Sequence, residues 1–255
     1  MPLDRSRRAR TPPALDLPPP YRLVTLREVG DAFAHARSIA ADEGAGTLVY
    51  VGRFDLAEFA VVLEPDEPLR LARRAFYAGM VALADALAAH APPEKPMSID
   101  WPDAIRVDGG LIGGGRLAWP DGADENEPPQ WLVFGAMIRT VAMGEDEPGL
   151  RPLSSALEAE GFDDLGSGRL VESFARHLMV ATDAWQEKGF GEIAKSYLAR
   201  LTPEKGVRRD IDETGDLLVR RVAAGPGKAA PERRSLVRAL AQPSWLDPAT
   251  GGPRS

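Results

Sequence analysis

Apolar positions in this chain recur with two periods. Leu26, Val29, Phe33, Ala36 and Ala40 fall on one face of a 3.6-residue helix, with Gly44 placed to stop it. Residues 47–51 and 58–63 are dense in apolar and β-branched side chains and predict two strands, separated by Gly52-Arg53-Phe54-Asp55. A second helix starts near Pro68. Its stripe is Ala72, Phe76, Gly79, Leu83 and Leu87, and Pro92-Pro93 end it. Asp108-Gly109, flanked by Ile105 and Val107 before and Leu111-Ile112 after, predicts a hairpin, because a type I′ turn needs positive φ at both central residues. Residues 131–141 read as an apolar strand, central in a sheet, between two acidic loops at 120–130 and 144–152. Three helices are expected next. Ser155 and Glu158 offer a capping box with Gly161 as a stop. The other two carry the stripes Leu170, Phe174, Leu178, Ala181, Trp185 and Phe190, Ile193, Ala194, Tyr197, Leu201. Residues 210–220 suggest a turn followed by a strand, and a short helix is expected near 235–240.

This order gives an α+β fold with a mixed or antiparallel sheet flanked by helices and a small C-terminal β-rich subdomain. The expected divisions are a disordered arm at 1–20, a main domain at 21–202 and a small domain with a tail at 203–255. Gly113-Gly114-Gly115 does not open a helix and no Walker A sequence is present, which argues against nucleotide-binding α/β folds.

Composition narrows the chemistry. The chain has 255 residues, 44% of them hydrophobic, enough to bury a substantial core. A net charge of −7 argues against a nucleic-acid partner, and the basic cluster Arg5, Arg7, Arg8, Arg10 sits in the Pro-rich arm. No apolar run approaches the ~20 residues needed to span a bilayer, and no secretory h-region follows the N-terminus, so a cytoplasmic protein is expected. There is no cysteine, which excludes disulfides, thiolate nucleophiles and cysteine-held zinc or iron–sulfur centres. His35, His90 and His177 lie on three separate predicted helices without metal-ligand spacing. Ser98 and Ser167 lack a nucleophile-elbow context. The pairs Asp42-Glu43 and Asp163-Asp164 fall where solvated turns are expected. The glycine triplet 113–115 has two readings. It is a kinked strand relieving crowding, or a place where backbone N–H groups approach a bound anion.

The segment Trp101-Pro102-Asp103-Ala104-Ile105-Arg106-Val107-Asp108-Gly109-Gly110-Leu111-Ile112-Gly113 resembles the Trp-Pro-Asn-Asp hairpin of biotin protein ligases and the matching hairpin of lipoate ligases. The run Leu132-Val-Phe-Gly135-Ala-Met-Ile138-Arg139 resembles the Gly-Ile-Gly-Ile-Asn strand of that family. Gly46-Thr-Leu-Val-Tyr-Val stands where the strand before its acyl-binding loop is found, and residues 210–218 resemble the start of its small C-terminal β-domain.

The resemblance implies a biotin protein ligase-like fold, related to class II aminoacyl-tRNA synthetases. It implies a two-step reaction in which ATP (with magnesium) and biotin, lipoate or octanoate form an acyl-adenylate. The acyl group would then pass to a lysine of a biotinyl or lipoyl carrier domain. It places substrate contacts at Arg53, Trp101, Pro102, Asp103, Gly113, Gly114, Gly115 and Arg139. The family lysine falls on Leu111, the Asn-Asp pair becomes Asp103-Ala104, and the later Asn becomes Arg139. The family's Gly-Arg-Gly-Arg loop is missing: Arg53-Phe54-Asp55-Leu56 runs almost directly into the next strand. Arg53 and Arg139 are the expected substitutes for the lysine, since a guanidinium can grip a carboxylate with two hydrogen bonds; surface salt bridges with the many nearby acids are the equal alternative for both. Arg116 lies at an odd offset from Leu111, so it reaches the same face only through a bulge. Two functions are therefore expected: an acyl-protein ligase using arginine, or a non-catalytic protein that binds an acyl cofactor or a carrier domain. The long apolar helix stripes could also serve a homodimer.

Overall fold

The computed structural model describes residues 15–143, 153–221 and 230–254. A seven-stranded sheet runs in the order β1-β2-β3-β7-β6-β5-β4. Its strands are β1 (Arg22–Leu26), β2 (Thr47–Val51), β3 (Leu56–Leu63), β4 (Met97–Asp100), β5 (Ala104–Val107), β6 (Gly110–Ala118) and β7 (Leu132–Arg139). Only β1–β2 is parallel, so the sheet is mixed. The strand expected over 131–141 is indeed central. A second, three-stranded sheet contains β8 (Val207–Ile211), β9 (Leu217–Arg221) and β10 (Glu232–Arg234).

Side-chain alternation sends Leu48, Tyr50, Phe59, Val61, Phe134 and Ile138 to one face of the large sheet. There they meet α3 (Ala75–Ala88), α4 (Ser167–Lys188) and α5 (Phe190–Leu198). Phe174 of α4 stacks between the strands, its ring 4.6 Å from that of Phe59 and 5.7 Å from that of Phe134. Helix α3 is buried on nearly every side, and at Gly79 a Cβ would collide with the Phe134 ring, so glycine is what allows helix and sheet to approach. The other face is covered in two halves. Helix α1 (Ala32–Glu43) lies over β1, β2, β3 and the start of β7 through Phe33, Ala36 and Ala40. The rest of that face is covered from the C-terminal end of the chain.

Several expectations are corrected. Leu26 ends β1 and Val29 is 97% exposed in the following turn, so helix α1 begins only after its cap, Asp31. The Asp31 side chain accepts the Ala34 amide. The helix expected after Pro68 is broken into α2 (Leu69–Ala72) and α3, because hydrogen bonds around Arg73 and Arg74 tighten to i→i−3. No helix forms over 155–161. The Ser155 hydroxyl bonds the Glu160 carboxylate at 2.6 Å, and its backbone pairs with Leu111 instead. Ile211 ends a strand, and the turn spans 212–216. The short C-terminal helix is present as α6 (Leu236–Leu240). Residues 15–20 of the expected arm pack on α4, with Arg176 paired to Asp16 at 2.6 Å, while 1–14 and the acidic loop 144–152 lie outside the described residues.

Candidate functional site

The β5–β6 hairpin turns at Asp108 (φ 49°) and Gly109 (φ 84°), as its sequence demands. Beyond the turn the register slips. Arg106 pairs with Leu111 but Ile105 pairs with Gly113, leaving Ile112 as an extra residue. This bulge changes the parity of everything after it. Leu111 and Arg116 are five residues apart, yet both lie on the face opposite α3 and α4. Leu111 packs with Leu56, Ala104, Met137 and Trp245, and Arg116 lies over the Phe33 ring of α1 at 4.1 Å.

Asp103, Leu111, Gly114, Gly115 and Arg139 come together around one object, the chain's own segment 244–254. The Asp103 carboxylate, 0% exposed, accepts the Ser244 amide at 2.9 Å and its hydroxyl at 2.6 Å. Trp245, also 0% exposed, packs in the cluster that holds Leu111, and its indole N–H donates to the Gly115 carbonyl at 2.9 Å. A Cβ on Gly114 would strike that indole and the Asp103 carbonyl oxygen, so the triplet relieves crowding here. Gly113 (φ 148°) is equally confined, against the Met137 carbonyl. The Arg139 guanidinium donates to the carbonyls of Ser155 at 3.1 Å, Pro253 at 2.8 Å and Arg254 at 3.2 Å.

The remaining expected site residues point elsewhere. Arg53 forms a bidentate pair with Asp55, at 2.9 and 2.6 Å, on the loop after β2. That pairing holds the arginine above and the Asp55 carboxyl below their usual ranges. The Trp101 indole donates to the Tyr77 hydroxyl at 3.2 Å, and the Pro102 carbonyl accepts from Tyr197 at 2.6 Å, both toward α3 and α5.

One further group, Glu58, has no signal in the sequence, and Arg116 reaches the Leu111 face through the bulge that its offset required. Glu58 of β3, 3% exposed, accepts the Ala32 amide at the start of α1 at 2.9 Å, and burial pushes its carboxyl up. Arg116 reaches Asp31 at 3.3 Å, its Nε has no hydrogen-bond partner, and burial lowers its pKa. The signal for Trp245 in the sequence is a large aromatic in an otherwise Gly- and Pro-rich tail. Burial also raises Asp103, to about 6, against the opposing effect of the two Ser244 hydrogen bonds. Among the described residues no group of three or more His, Cys, Asp or Glu could hold a metal ion, and no helix is long and apolar enough to cross a membrane.

The model of the biotin/lipoate A/B protein ligase family matches residues 17–199. The chain belongs to this family. A biotin protein ligase-like protein of unknown function from Silicibacter sp. TM1040 is 28% identical, with a TM-score of 0.75 over 90% of this chain and 100% of that one. Biotin protein ligase from Aquifex aeolicus is 14% identical, with a TM-score of 0.64 over 84% and 95%. The Leishmania major biotin protein ligase in complex with biotinyl-5-AMP is 16% identical, with a TM-score of 0.52 over 86% and 99%. These last two show the shared fold. No curated protein sequence matches the chain. Leu111, where the resemblance puts the family's lysine, is 6% exposed and packed with Trp245. Leu111 itself supplies an alkyl group, with the Trp245 indole in the adjoining space, and the cation of this strand, Arg116, lies further along it over Phe33.

Proposed function

We propose that this chain is a non-catalytic member of the biotin/lipoate ligase family that binds an acyl cofactor such as biotin, lipoate or octanoate, or the carrier domain that bears one. The observation that carries this reading is Leu111 at the lysine position, buried with Trp245. Electrostatic stabilisation of adenylate formation needs a fixed charge aimed at the carboxylate and phosphate, and an alkyl side chain supplies none. The test is incubation with magnesium-ATP and each acid. No acid-dependent pyrophosphate release is expected, together with calorimetric binding of one acid or of a carrier domain. Pyrophosphate release followed by acyl transfer to a carrier lysine would reject the reading.

One observation favours the second reading, an active ligase. The Ile112 bulge brings Arg116 to the face of Leu111, beside buried Glu58, and so offers a cation displaced along the same strand. Under that reading, Arg116→Ala abolishes acid-dependent pyrophosphate release while the fold persists.

A further inference from the structure

The segment 243–254 has the construction of a separable part. It closes on itself: the Leu246 and Arg254 amides donate to the Pro243 and Trp245 carbonyls, Asp247 donates to Gly252, and Gly251 donates back to Asp247. Arg254 Nε returns to the Ser244 carbonyl at 2.9 Å, and Leu246 bridges Pro253. None of these bonds belongs to the large sheet. The β5–β6 and β6–β7 ladders are complete without the segment, so its departure would unravel no strand. Gln242, between α6 and the segment, is exposed.

Among the described residues its attachment to the sheet is local and uses three joints. Ser244 is held by Asp103, Trp245 fills the space over Gly114 and beside Leu111, and residues 253 and 254 are held by Arg139. The joints coincide with the positions where the family resemblance places substrate contacts. The Arg139 guanidinium, which donates to carbonyls of the segment, is a group that an incoming carboxylate could share, whereas the Asp103 carboxylate would need new donors, from water or the ligand, in place of Ser244.

We infer that segment 243–254 is an intrasteric latch: it occupies the ligase face in cis and must leave before an acyl carboxylate or a carrier segment reaches Asp103, Leu111 and Arg139. This rests on the binding function proposed above. Release exposes one aromatic-sized apolar recess over Gly114, on the same sheet face as the Arg139 guanidinium, which suits an apolar acyl chain whose terminal carboxylate accepts from Arg139.

Native-state amide exchange on the full-length chain tests the latch without any ligand. The amides of Ser244, Leu246, Asp247, Gly251 and Arg254 should exchange through a local opening, at least tenfold faster than those of Ala136 and Ile138 in β7. Exchange of both sets only through global unfolding would overturn the latch. With biotin, lipoate or octanoate added in turn, the acid that binds should speed exchange of the segment further, and Ser244→Ala should bind that acid at least threefold tighter. Binding that leaves exchange of the segment unchanged would also overturn the latch, while leaving the binding function intact. If no acid or carrier domain binds either protein, the proposed function fails, and the ligand-free exchange still decides the latch.

Discussion

At the residue scale the informative pair is Asp103 and Leu111, because each departs from what its neighbourhood in the family would need. Asp103 is raised to about 6 by burial. A folded-state pKa above the unfolded one means the native state holds the proton more tightly. Stability from this group is therefore full below about 4, declines as pH rises to about 6, and stays low above it. The displacement from 3.8 to about 6 corresponds to on the order of 3 kcal/mol. Asp103→Asn removes this titration. The stability difference between the parent and Asp103→Asn, followed by thermal unfolding, should move against the parent as pH rises from 4 to 7. A difference that does not change with pH would show that Asp103 ionises freely. Leu111→Lys tests the other residue. Beside Trp245 the ammonium would lack a partner, and an uncompensated buried charge costs about 3–5 kcal/mol. The variant should either lose that much stability or expel segment 244–254, seen as rapid exchange of the Ser244 and Arg254 amides. Parent-like stability with those amides still protected would mean that the site accepts a lysine at this position without strain.

At the scale of elements, the sequence was legible where periodicity and turn chemistry act locally. The expected strand at 47–51 coincides with β2, the stripe from Leu170 to Trp185 lies on α4, and Asp108-Gly109 turns the hairpin. Strand β1 was hidden because its edge position leaves it half exposed, so Leu26 matched a helical period by coincidence. The break between α2 and α3 was hidden because its cause is tertiary. Arg73 stacks on Trp119 at 4.6 Å and pairs with Glu125, while Arg74 lies over Phe190 at 4.7 Å and pairs with Glu67. The Ile112 bulge could be named only as a condition for Arg116, since apolar run length does not reveal which residue is unpaired. Most of the candidate site was visible as residues but not as an arrangement, because its partner arrives from more than a hundred positions away. Strand β6 offers the sharpest test. Gly114→Ala should cost about 1–3 kcal/mol or more, as expected for overpacking, because the methyl meets the Asp103 carbonyl and the Trp245 indole together. Gly122→Ala, in an open loop, has space around it but a φ of 74°, so it should cost only about 1 kcal/mol of backbone strain. Equal losses in the two variants, by denaturant unfolding, would remove steric crowding as the reason for glycine in β6.

At the scale of the whole molecule, the question is what joins the two sheets. Tyr77 of α3 sits at the junction. Its hydroxyl donates to the Gly215 carbonyl in the β8–β9 turn at 2.6 Å and accepts the Trp101 indole N–H at 3.2 Å. Its ring packs edge-on to Tyr197 of α5, with centroids 4.6 Å apart. The Tyr197 hydroxyl in turn fixes Pro102, next to the residue that holds Ser244. One chain of contacts therefore runs from the small sheet through α3 and α5 to the ligase hairpin and the C-terminal segment. Tyr77→Phe keeps the ring and removes only the hydroxyl, leaving a carbonyl and an indole N–H without their partner. An unsatisfied buried group costs about 1–3 kcal/mol. The loss should not be spread evenly. The Gly215 turn depends on that hydroxyl, whereas β3 and β7 are held by their own eight-residue ladder. Amide exchange in Tyr77→Phe should accelerate at Leu217 and Val219 well before it does at Phe59 or Ala136. Uniform acceleration across both sheets would mean that they unfold as a single cooperative unit, and that the hydroxyl stabilises the molecule as a whole rather than its junction.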